Sequence, residues 1–396
     1  MTNTTSPADL ADEIVQRLRT VVGPGRAHLH EPHFAGNERD YVLECIESTF
    51  ISSVSPFVQR FEDLLREITG AEHAVAVVNG TAALHLSLVL AGVEPGDEVL
   101  MPSLSFVATA NAAAHAGAVP HFVDVDTRTL GLDPMALREH LEQSTSRVDG
   151  VCVNQDTGRV IRAVVPMHTF GHAVQVDALV EVADDFGLVV VEDAAEALGT
   201  TYKGRHAGTF GALGTLSFNG NKTVTTGGGG AILTNDGALA ARARHLSTTA
   251  KVPHRWAFVH DSVGWNYRMP GLNAALGCAQ LEQLDGFVQR KRTLVDRYRS
   301  AFEGFSAGVI REEEPECHSN YWLQALILEP SAALHRDMIL EEVNDAGLGV
   351  RPCWTLLHRL APFSDAPRAS TPVSESLERR IINLPSSVFL TPEPVG

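Results

Sequence analysis

The segment VVVEDAAEALGT, residues 189–200, decides the fold. It opens on consecutive apolar residues and places two carboxylates, Glu192 and Asp193, where the apolar run ends. Such a run is typical of a strand buried on both faces of a parallel sheet, and ligands of open α/β sheets bind beyond the carboxyl ends of the strands. A carboxylate at that place can hold a metal or a protonated ring nitrogen, or it can simply cap the following helix.

Short apolar runs alternate with helical patterns on both sides of this segment. The runs are residues 74–78, 98–102, 119–125, 163–168, 188–193, 215–219 and 231–235. This alternation predicts an α/β domain with a mostly parallel sheet. We assign that large domain to residues 35–275, after an N-terminal arm of residues 1–34, and a smaller C-terminal α+β domain to residues 276–396. Residues 272–302 predict a single uninterrupted helix because they contain no turn signal.

Composition limits the classes of function. The 396 residues include 31 Lys+Arg and 48 Asp+Glu, which gives a net charge of −17. A chain this acidic lacks the basic surface that nucleic acids and anionic membranes attract. The five cysteines are scattered and odd in number, which argues against a disulfide framework, and the N-terminal region does not have the pattern of a signal peptide. We therefore expect a cytoplasmic protein that binds neither nucleic acid nor membrane.

A second segment, SFNGNKTVTTGGGG (217–230), places Lys222 just after a predicted strand, among small polar residues and glycines. Glycines let a backbone or a ligand approach closely, and a lysine held among them can act as a nucleophile. One alternative is a solvated lysine in a loop. Another is a P-loop, but that pattern fails because Asn221 separates Gly220 from Lys222.

A third segment, VVNGTAALHL (77–86), places Asn79, Gly80 and Thr81 between a predicted strand and a predicted helix. The first N–H groups of a helix and the positive end of its dipole attract anions, and Thr81 adds a hydroxyl group. The alternative is a helix cap without a ligand. A further hydroxyl comes from Ser217, five residues before the lysine of the second segment.

The three segments together match one cofactor, pyridoxal 5′-phosphate (PLP). Its aldehyde reacts with a lysine, its ring nitrogen stays protonated beside a carboxylate, and its phosphate takes N–H and hydroxyl donors. Lys222, Asp193 and the start of the helix at Gly80 supply these three kinds of group. The combination therefore predicts a PLP enzyme more strongly than any one segment does.

The sequence resembles the DegT/DnrJ/EryC1/StrS sugar aminotransferases, whose fold is the aspartate-aminotransferase-like fold, or PLP fold type I. The resemblance extends from HEPHFAGNERDYVLECIESTF (30–50) to RRIINLPSS (379–387). It rests on the three segments above, on MPSLSFVATANA (101–112) and on GWNYRMPGLNAALGCAQL (264–281). The motifs FISS, PMHTFGH, TTAKVPHRWAFVHD and RPCWTLLHRL are most similar to the branch that acts on UDP-linked 4-keto-6-deoxy-N-acetylhexosamines, in the legionaminic acid and bacillosamine pathways.

This resemblance implies an aminotransferase that moves an amino group from L-glutamate to the C4 keto group of a nucleotide sugar. Lys222 would bind PLP covalently and shuttle the proton, and Asp193 would hold the pyridine nitrogen. The other cofactor contacts implied are Gly80, Thr81, Phe106, Glu196, Ser217 and Asn266. Asn266 would reach the phosphate from a second copy of the chain, which makes a homodimer with shared active sites necessary.

Substrate contacts are predicted at two further places. His168 and His172 stand four residues apart, as a metal pair can, but no third ligand is evident, so we expect no metal and assign His168 to the lining of the active site. Lys251, His254 and Arg255 form a basic cluster, which suits the diphosphate of a nucleotide sugar. The alternative for that cluster is a solvated loop.

Other functions stay open at this stage. The amino group could go to another keto sugar, with a different nucleotide or a different carbon. The chain could also be another kind of PLP enzyme, or a non-catalytic sugar-binding regulator on the same scaffold. The presence of Lys222, Asp193 and Ser217 argues against a regulator, because a protein that only binds has no need of the reactive lysine.

Overall fold

The structure, a computed structural model, describes residues 7–391. Its helices are Pro7–Val22 (α1), Glu38–Glu47 (α2), Pro56–Thr69 (α3), Gly80–Leu90 (α4), Val107–His115 (α5), Pro134–Ser144 (α6), Val176–Phe186 (α7), Gly237–Ser247 (α8), Gly271–Leu281 (α9), Leu284–Ala301 (α10), Arg336–Asp345 (α11) and Pro372–Arg380 (α12). Its strands are His73–Val77 (β1), Glu98–Pro102 (β2), Val119–Val123 (β3), Thr145–Val148 (β4), Val151–Asn154 (β5), Ile161–Val164 (β6), Val189–Asp193 (β7), Thr201–Tyr202 (β8), Arg205–His206 (β9), Leu213–Ser217 (β10), Gly230–Thr234 (β11), Lys251–Val252 (β12), Val259–His260 (β13), Gly308–Ile310 (β14), Cys317–His318 (β15), Gln324–Leu328 (β16), Arg351–Pro352 (β17) and Ile381–Leu384 (β18). Within residues 7–391, no helix combines the length and the apolar character needed to cross a membrane.

The central sheet has seven strands in the order β1-β11-β10-β7-β6-β2-β3. Strands β10, β7, β6, β2 and β3 run parallel to one another, and β11 runs antiparallel to its two neighbours. The segment that decided the fold provides β7, the middle strand of this sheet. A mostly parallel α/β sheet is confirmed, as PLP fold type I requires.

Both faces of the sheet are covered, which explains why its strands are continuous apolar runs. Val75 and Val77 of β1 belong to a core that includes residues of α4, α5 and α8. Ala74 and Ala76 of the same strand belong to a second core, with residues of α3 and α9. Alternate side chains of one strand thus enter two different cores, as the two-residue period of a strand demands.

The C-terminal part of the chain forms a separate antiparallel sheet in the order β14-β16-β18-β17. Helix α1 packs on α10 and α11 beside this sheet, and it buries Leu10, Ile14 and Leu18 in the same core as Tyr298 and Ile339. The predicted N-terminal arm therefore contributes to the core of the C-terminal part. The domain limits drawn from the sequence remain predictions.

The single helix predicted over residues 272–302 is wrong. The structure has two helices, α9 and α10, with a break at Glu282 and Gln283. Side chains of neighbouring helices bind the residues of the break: Gln283 Nε2 donates to Glu38 at 2.6 Å, and Arg60 lies 2.8 Å from Glu282. These tertiary contacts stabilise the break, and a search for local turn residues could not find them.

Candidate active site

A cavity of about 260 Å³ lies where the carboxyl edge of the central sheet meets the C-terminal part of the chain. It is lined by Asn79, Gly80, Thr81, Leu84, Phe106, Ala108, Met167, Asp193, Ala195, Glu196, Ser217, Asn219, Asn221, Lys222, Gly228, Gly229, Trp322 and Trp354. Parallel strands end at the same edge, so the residues at the ends of β7 and β10 and those that follow β1, β2, β7 and β10 lie close together. The three sequence segments of interest meet here.

Asp193 forms the buried end of the cavity. It is the last residue of β7, and the residue is 2% exposed. Its Oδ2 accepts a hydrogen bond from Thr109 Oγ1 at 2.7 Å, and its Oδ1 accepts one from the N–H of Ala195 at 3.2 Å. Burial raises the pKa of Asp193, and these two hydrogen bonds oppose the rise. A cation in the cavity would therefore stabilise the ionised form of this buried carboxylate.

The neighbouring Glu192 points in the opposite direction, away from the cavity. Its carboxylate accepts hydrogen bonds from the N–H groups of Gly208, Phe210 and Gly211, and it lies 3.0 Å from His168 Nε2. Burial alone would raise the pKa of Glu192, but the contacts with His168 and the backbone N–H groups hold that pKa below its usual value. Glu192 therefore has a structural role.

The assignment of His168 to the lining of the active site is corrected by the same contacts. Its ring is fully buried, with Nε2 on Glu192 and Nδ1 accepting from the N–H of Val174 at 3.3 Å. Neither nitrogen is directed at the cavity. His172, the second histidine of the pair that the sequence suggested as metal ligands, is also buried. Within residues 7–391, no cluster of three or more metal-ligating side chains occurs.

Lys222 extends into the cavity from the loop after β10. Its side chain is 12% exposed, unlike that of a solvated loop lysine. The Nζ atom donates to Glu196 Oε1 at 3.1 Å and lies 3.9 Å from the centre of the Trp322 ring. The amine is therefore held between a carboxylate and an indole face, on the same side of the sheet as Asp193.

Glu196 is the unusual acid of the site. Burial raises its pKa to about 7, against the lowering effects of the Lys222 charge and of a hydrogen bond from the N–H of Phe170 at 2.9 Å. The negative charge of Asp193 raises the pKa further. A carboxyl group with this pKa can exchange its proton near neutral pH, one hydrogen bond away from the lysine.

The start of α4 forms a close-packed cradle beside Ser217. Asn79 caps the helix by accepting from the N–H of Ala82 at 2.8 Å, which leaves the first helical residues, Gly80 and Thr81, at the cavity. A Cβ atom on Gly80 would stand 2.8 Å from Ser217 Cβ, and one on Gly230 would stand 2.4 Å from the Asn79 backbone. Both glycines allow the helix start to approach the strand ends this closely.

Aromatic side chains close the mouth of the cavity. Phe106 is 44% exposed. The centre of its ring lies 6.0 Å from that of Trp354, whose ring centre lies 4.9 Å from that of Phe170. The sequence assigned no role to Trp322 or Trp354, because both come from the C-terminal part, far along the chain from the glycine-rich segments. The only available signal was their place in the motifs NYWLQ and RPCWT.

Besides His168, four further predicted residues lie outside the cavity of their own chain. Lys251, His254 and Arg255 occupy the exposed hairpin of β12 and β13, where Lys251 Nζ stacks 4.1 Å from the Phe258 ring. Asn266 is also exposed, and its Oδ1 accepts two hydrogen bonds from the side chain of Arg268. Their contacts with substrate or cofactor remain predictions.

The groups in the cavity fit PLP. A buried carboxylate, Asp193, faces the space that a protonated ring nitrogen would need, and among the described residues of the lining Lys222 is the one lysine. The start of α4, Thr81 and Ser217 offer N–H and hydroxyl donors to a phosphate, in a cradle that side chains larger than glycine would fill. These donors and this carboxylate are complementary to the charges of the cofactor.

Comparisons with known proteins agree with this chemistry. A model of the DegT/DnrJ/EryC1/StrS aminotransferase family matches residues 32–396. The chain is 36% identical over 367 residues to GDP-perosamine synthase of Escherichia coli O157:H7, which covers 93% of this chain and 95% of the relative. It is 36% identical over 375 residues to the putative pyridoxal phosphate-dependent aminotransferase EpsN of Bacillus subtilis (strain 168), covering 94% and 93%. The crystal structure of an aminotransferase TlmJ from Streptoalloteichus hindustanus is 30% identical, with a TM-score of 0.82, and covers 91% of this chain and 94% of that one.

Proposed function

The chain belongs to the DegT/DnrJ/EryC1/StrS aminotransferase family, and on that premise we propose that it transfers the amino group of L-glutamate to the C4 keto carbon of a nucleotide-linked 4-keto-6-deoxy sugar. It is a PLP-dependent sugar aminotransferase. The observation that carries the proposal is the meeting of Lys222, Asp193 and the start of α4 in one cavity. A sugar-binding regulator would have no use for this combination.

Each group of residues in the cavity has a separate role in the proposed reaction. Bound PLP supplies a ring that accepts an electron pair from the reacting carbon. Asp193 holds a proton on the ring nitrogen through the favourable pairing of a buried carboxylate with a cation. Lys222 Nζ takes the proton from Cα of L-glutamate and, in the second half-reaction, returns a proton at C4 of the sugar. Thr81, Ser217 and the start of α4 bind the phosphate and fix the distance from Lys222 to the reacting carbon.

The nucleotide is the finer part of the proposal. The sequence motifs are most similar to a branch that uses UDP-linked N-acetylhexosamines, whereas the name of the Escherichia coli relative is GDP-perosamine synthase. Both concern a nucleotide-linked sugar, and we propose C4 as the carbon that receives the amine. We take the 4-keto-6-deoxy sugar as the shared chemistry and let the assay distinguish between UDP and GDP.

The test is a direct product assay. The holoenzyme is incubated with L-glutamate and with either the UDP-linked or the GDP-linked 4-keto-6-deoxy sugar, and the product is analysed by mass spectrometry and NMR. We expect 2-oxoglutarate and a sugar with an amine at C4 in equal amounts, and neither product with Lys222→Ala. A holoenzyme that releases 2-oxoglutarate but aminates neither sugar, or aminates another carbon, contradicts the proposed substrate.

We further propose a homodimer in which Asn266 of each copy reaches the phosphate site of the other copy. Several apolar side chains are exposed in the single chain, which supports a surface covered by a second copy. They include Phe34, Leu43, Ile46, Phe50, Val54, Trp256 and Phe258. Asn266 is exposed as well and does not line its own cavity.

Complementation tests the shared site. Lys222→Ala and Asn266→Asp variants, each of low activity, are mixed under conditions that exchange subunits. A mixed dimer then holds one site with both native residues, so we expect recovery of about a quarter of native activity. No recovery after proven subunit exchange would contradict a shared site, and sedimentation as a monomer would contradict the dimer.

A cytoplasmic location is part of the same proposal. All five cysteines are buried and none forms a disulfide, which suits a reducing compartment. Burial raises the pKa of Cys278 to about 12 and that of Cys317 to about 11, so both thiols stay protonated and unreactive. Cell fractionation of the producing organism tests the location, and recovery of the activity outside the cytoplasm would contradict it.

A further inference from the structure

Trp322 contacts the reacting atom of the proposed mechanism. The centre of its indole ring lies 3.9 Å from Lys222 Nζ, and the same nitrogen donates to Glu196 at 3.1 Å. The residue is 4% exposed, so the contact is shielded from water. The face of an indole ring is electron-rich and attracts an ammonium group, most strongly where water is excluded.

Three hydrogen bonds fix the indole in this position. Its Nε1 donates to the carbonyl oxygen of Asn221, the residue before Lys222, at 2.7 Å. Its backbone N–H donates to Asn320 Oδ1 at 2.8 Å, and its carbonyl oxygen accepts from Lys291 Nζ at 3.0 Å. Lys291 is fully buried and donates also to the carbonyl oxygen of Ser386 at 2.7 Å. The ring is therefore held at its polar edge and at its backbone.

Asn320 joins the two groups that contact the lysine. Its Oδ1 accepts from the backbone N–H of Trp322, and its Nδ2 donates to the carbonyl oxygens of Glu196 at 2.9 Å and of Leu198 at 2.8 Å. The residue between Asn320 and Trp322, Tyr321, has a φ of 45°, in the left-handed region that residues other than glycine rarely adopt. The chain thus maintains an uncommon turn that brings the indole to the amine.

We propose that Trp322 is a positioning residue for Lys222: the face of its indole holds the lysine ammonium beside Glu196 and keeps Nζ turned toward the cavity. The inference rests on the proposed function, in which Nζ carries the proton. The competing explanation is that the indole only fills space between the two parts of the chain. The two explanations differ because space-filling depends on the shape of the ring, whereas attraction of a cation depends on its electrons.

The first test observes the contact in the full-length protein freed of PLP. Lysine is labelled with ¹³C at Cε, and the chain has only Lys203, Lys222, Lys251 and Lys291, so few signals arise. Lys222→Arg identifies the signal of interest. We expect its ε protons to be shifted upfield by the indole ring current. The shift should vanish in Trp322→Leu, and a Lys222 signal that Trp322→Leu leaves unchanged would overturn the contact.

The second test changes the electron density of the indole ring at position 322 while keeping its shape nearly constant. Tryptophans with one, two and three fluorine atoms are introduced at position 322 alone, and the rate constant of PLP attachment to Lys222 is followed by absorbance. We expect a stepwise rise of about fivefold across the series below neutral pH, because fluorine weakens the attraction of the ring for the ammonium and so releases the neutral amine that attacks the PLP aldehyde, while changing the size of the ring little. The same series at Trp265, which stacks on Tyr267 away from the cavity, should change nothing.

The outcomes of the second test separate the two proposals. Equal rates across the series at position 322 would overturn the positioning role and leave the indole as packing. Neither readout uses a sugar, so a failed sugar assay leaves the result for Trp322 intact. If the native chain with ordinary tryptophan attached no PLP, the proposed function itself would fail, while the ring-current measurement would still report on the contact.

Discussion

Glu196→Gln should remove a specific part of the pH dependence of stability. An ordinary glutamate has a pKa of 4.5, whereas burial raises that of Glu196 to about 7 in the folded chain. Between these two values the folded chain holds a proton that the unfolded chain has released. Raising the pH through this window therefore destabilises the folded state, and the full stabilisation is present only below the unfolded pKa. Glutamine cannot titrate and has nearly the same shape.

The size of the effect follows from the two pKa values. With 1.36 kcal/mol per pKa unit, the native chain should lose roughly 2.5 kcal/mol of unfolding free energy relative to Glu196→Gln between about pH 5 and about pH 8. The charge of Lys222 lowers the pKa of Glu196. Without that charge the pKa of Glu196 rises further, so the loss should be larger when the same comparison is made in a Lys222→Ala background.

The assay is urea unfolding of the PLP-free chain at a series of pH values, with the native chain and Glu196→Gln compared at each pH. Taking the difference cancels the other titrating groups that the two proteins share. A flat difference for Glu196→Gln, or stability of the native chain that rises relative to the variant with pH, would refute the assignment of a raised pKa.

Three further predictions, one of them with a matched control variant, test the cavity and the packing that supports it. Asp193→Asn should keep PLP attached yet lower the rate of amino transfer by roughly 100-fold, measured by stopped-flow absorbance, because an amide carries no charge to hold the ring proton; an unaltered rate contradicts this role. Gly80→Ala should weaken PLP binding about 10-fold by equilibrium titration, since its Cβ would stand 2.8 Å from Ser217 Cβ. Gly220→Ala, with open space around its Cβ, should bind PLP normally, and equal affinities for the two variants would disprove the steric argument. Glu62→Ala should lower the free energy of unfolding by about 2 kcal/mol in urea, because this 2% exposed carboxylate accepts from a strand N–H and an arginine; a change below about 0.5 kcal/mol would contradict that.

Much of the site could be predicted because its signals are local. An apolar run indicates a buried strand, and the residues after each run meet at one edge when the strands are parallel. Asp193 and Ser217 are the last residues of two strands and Gly80 follows a third, and the structure brings all three to one cavity. Glu192 could also have been placed from this pattern, because successive side chains of a strand point to opposite faces.

The contributions of the C-terminal part could not be predicted from local patterns. Trp322 follows Lys222 by 100 residues, and no periodicity in the sequence indicates that the two side chains meet. His168 was assigned to the active site from its place at a strand end, but the buried Glu192 carboxylate attracts its ring to the other side of the sheet. The positions of the Trp322 and His168 side chains both depend on tertiary hydrogen bonds between distant segments.

The most direct test of the central claim is the visible absorbance spectrum of the protein supplied with PLP, recorded before and after L-glutamate, with Lys222→Ala measured alongside. The account predicts that the native protein shows the band of lysine-bound PLP, that L-glutamate bleaches this band as 2-oxoglutarate appears, and that Lys222→Ala lacks the band. A native protein that takes up no PLP, or a Lys222→Ala variant with the native spectrum, would contradict the account.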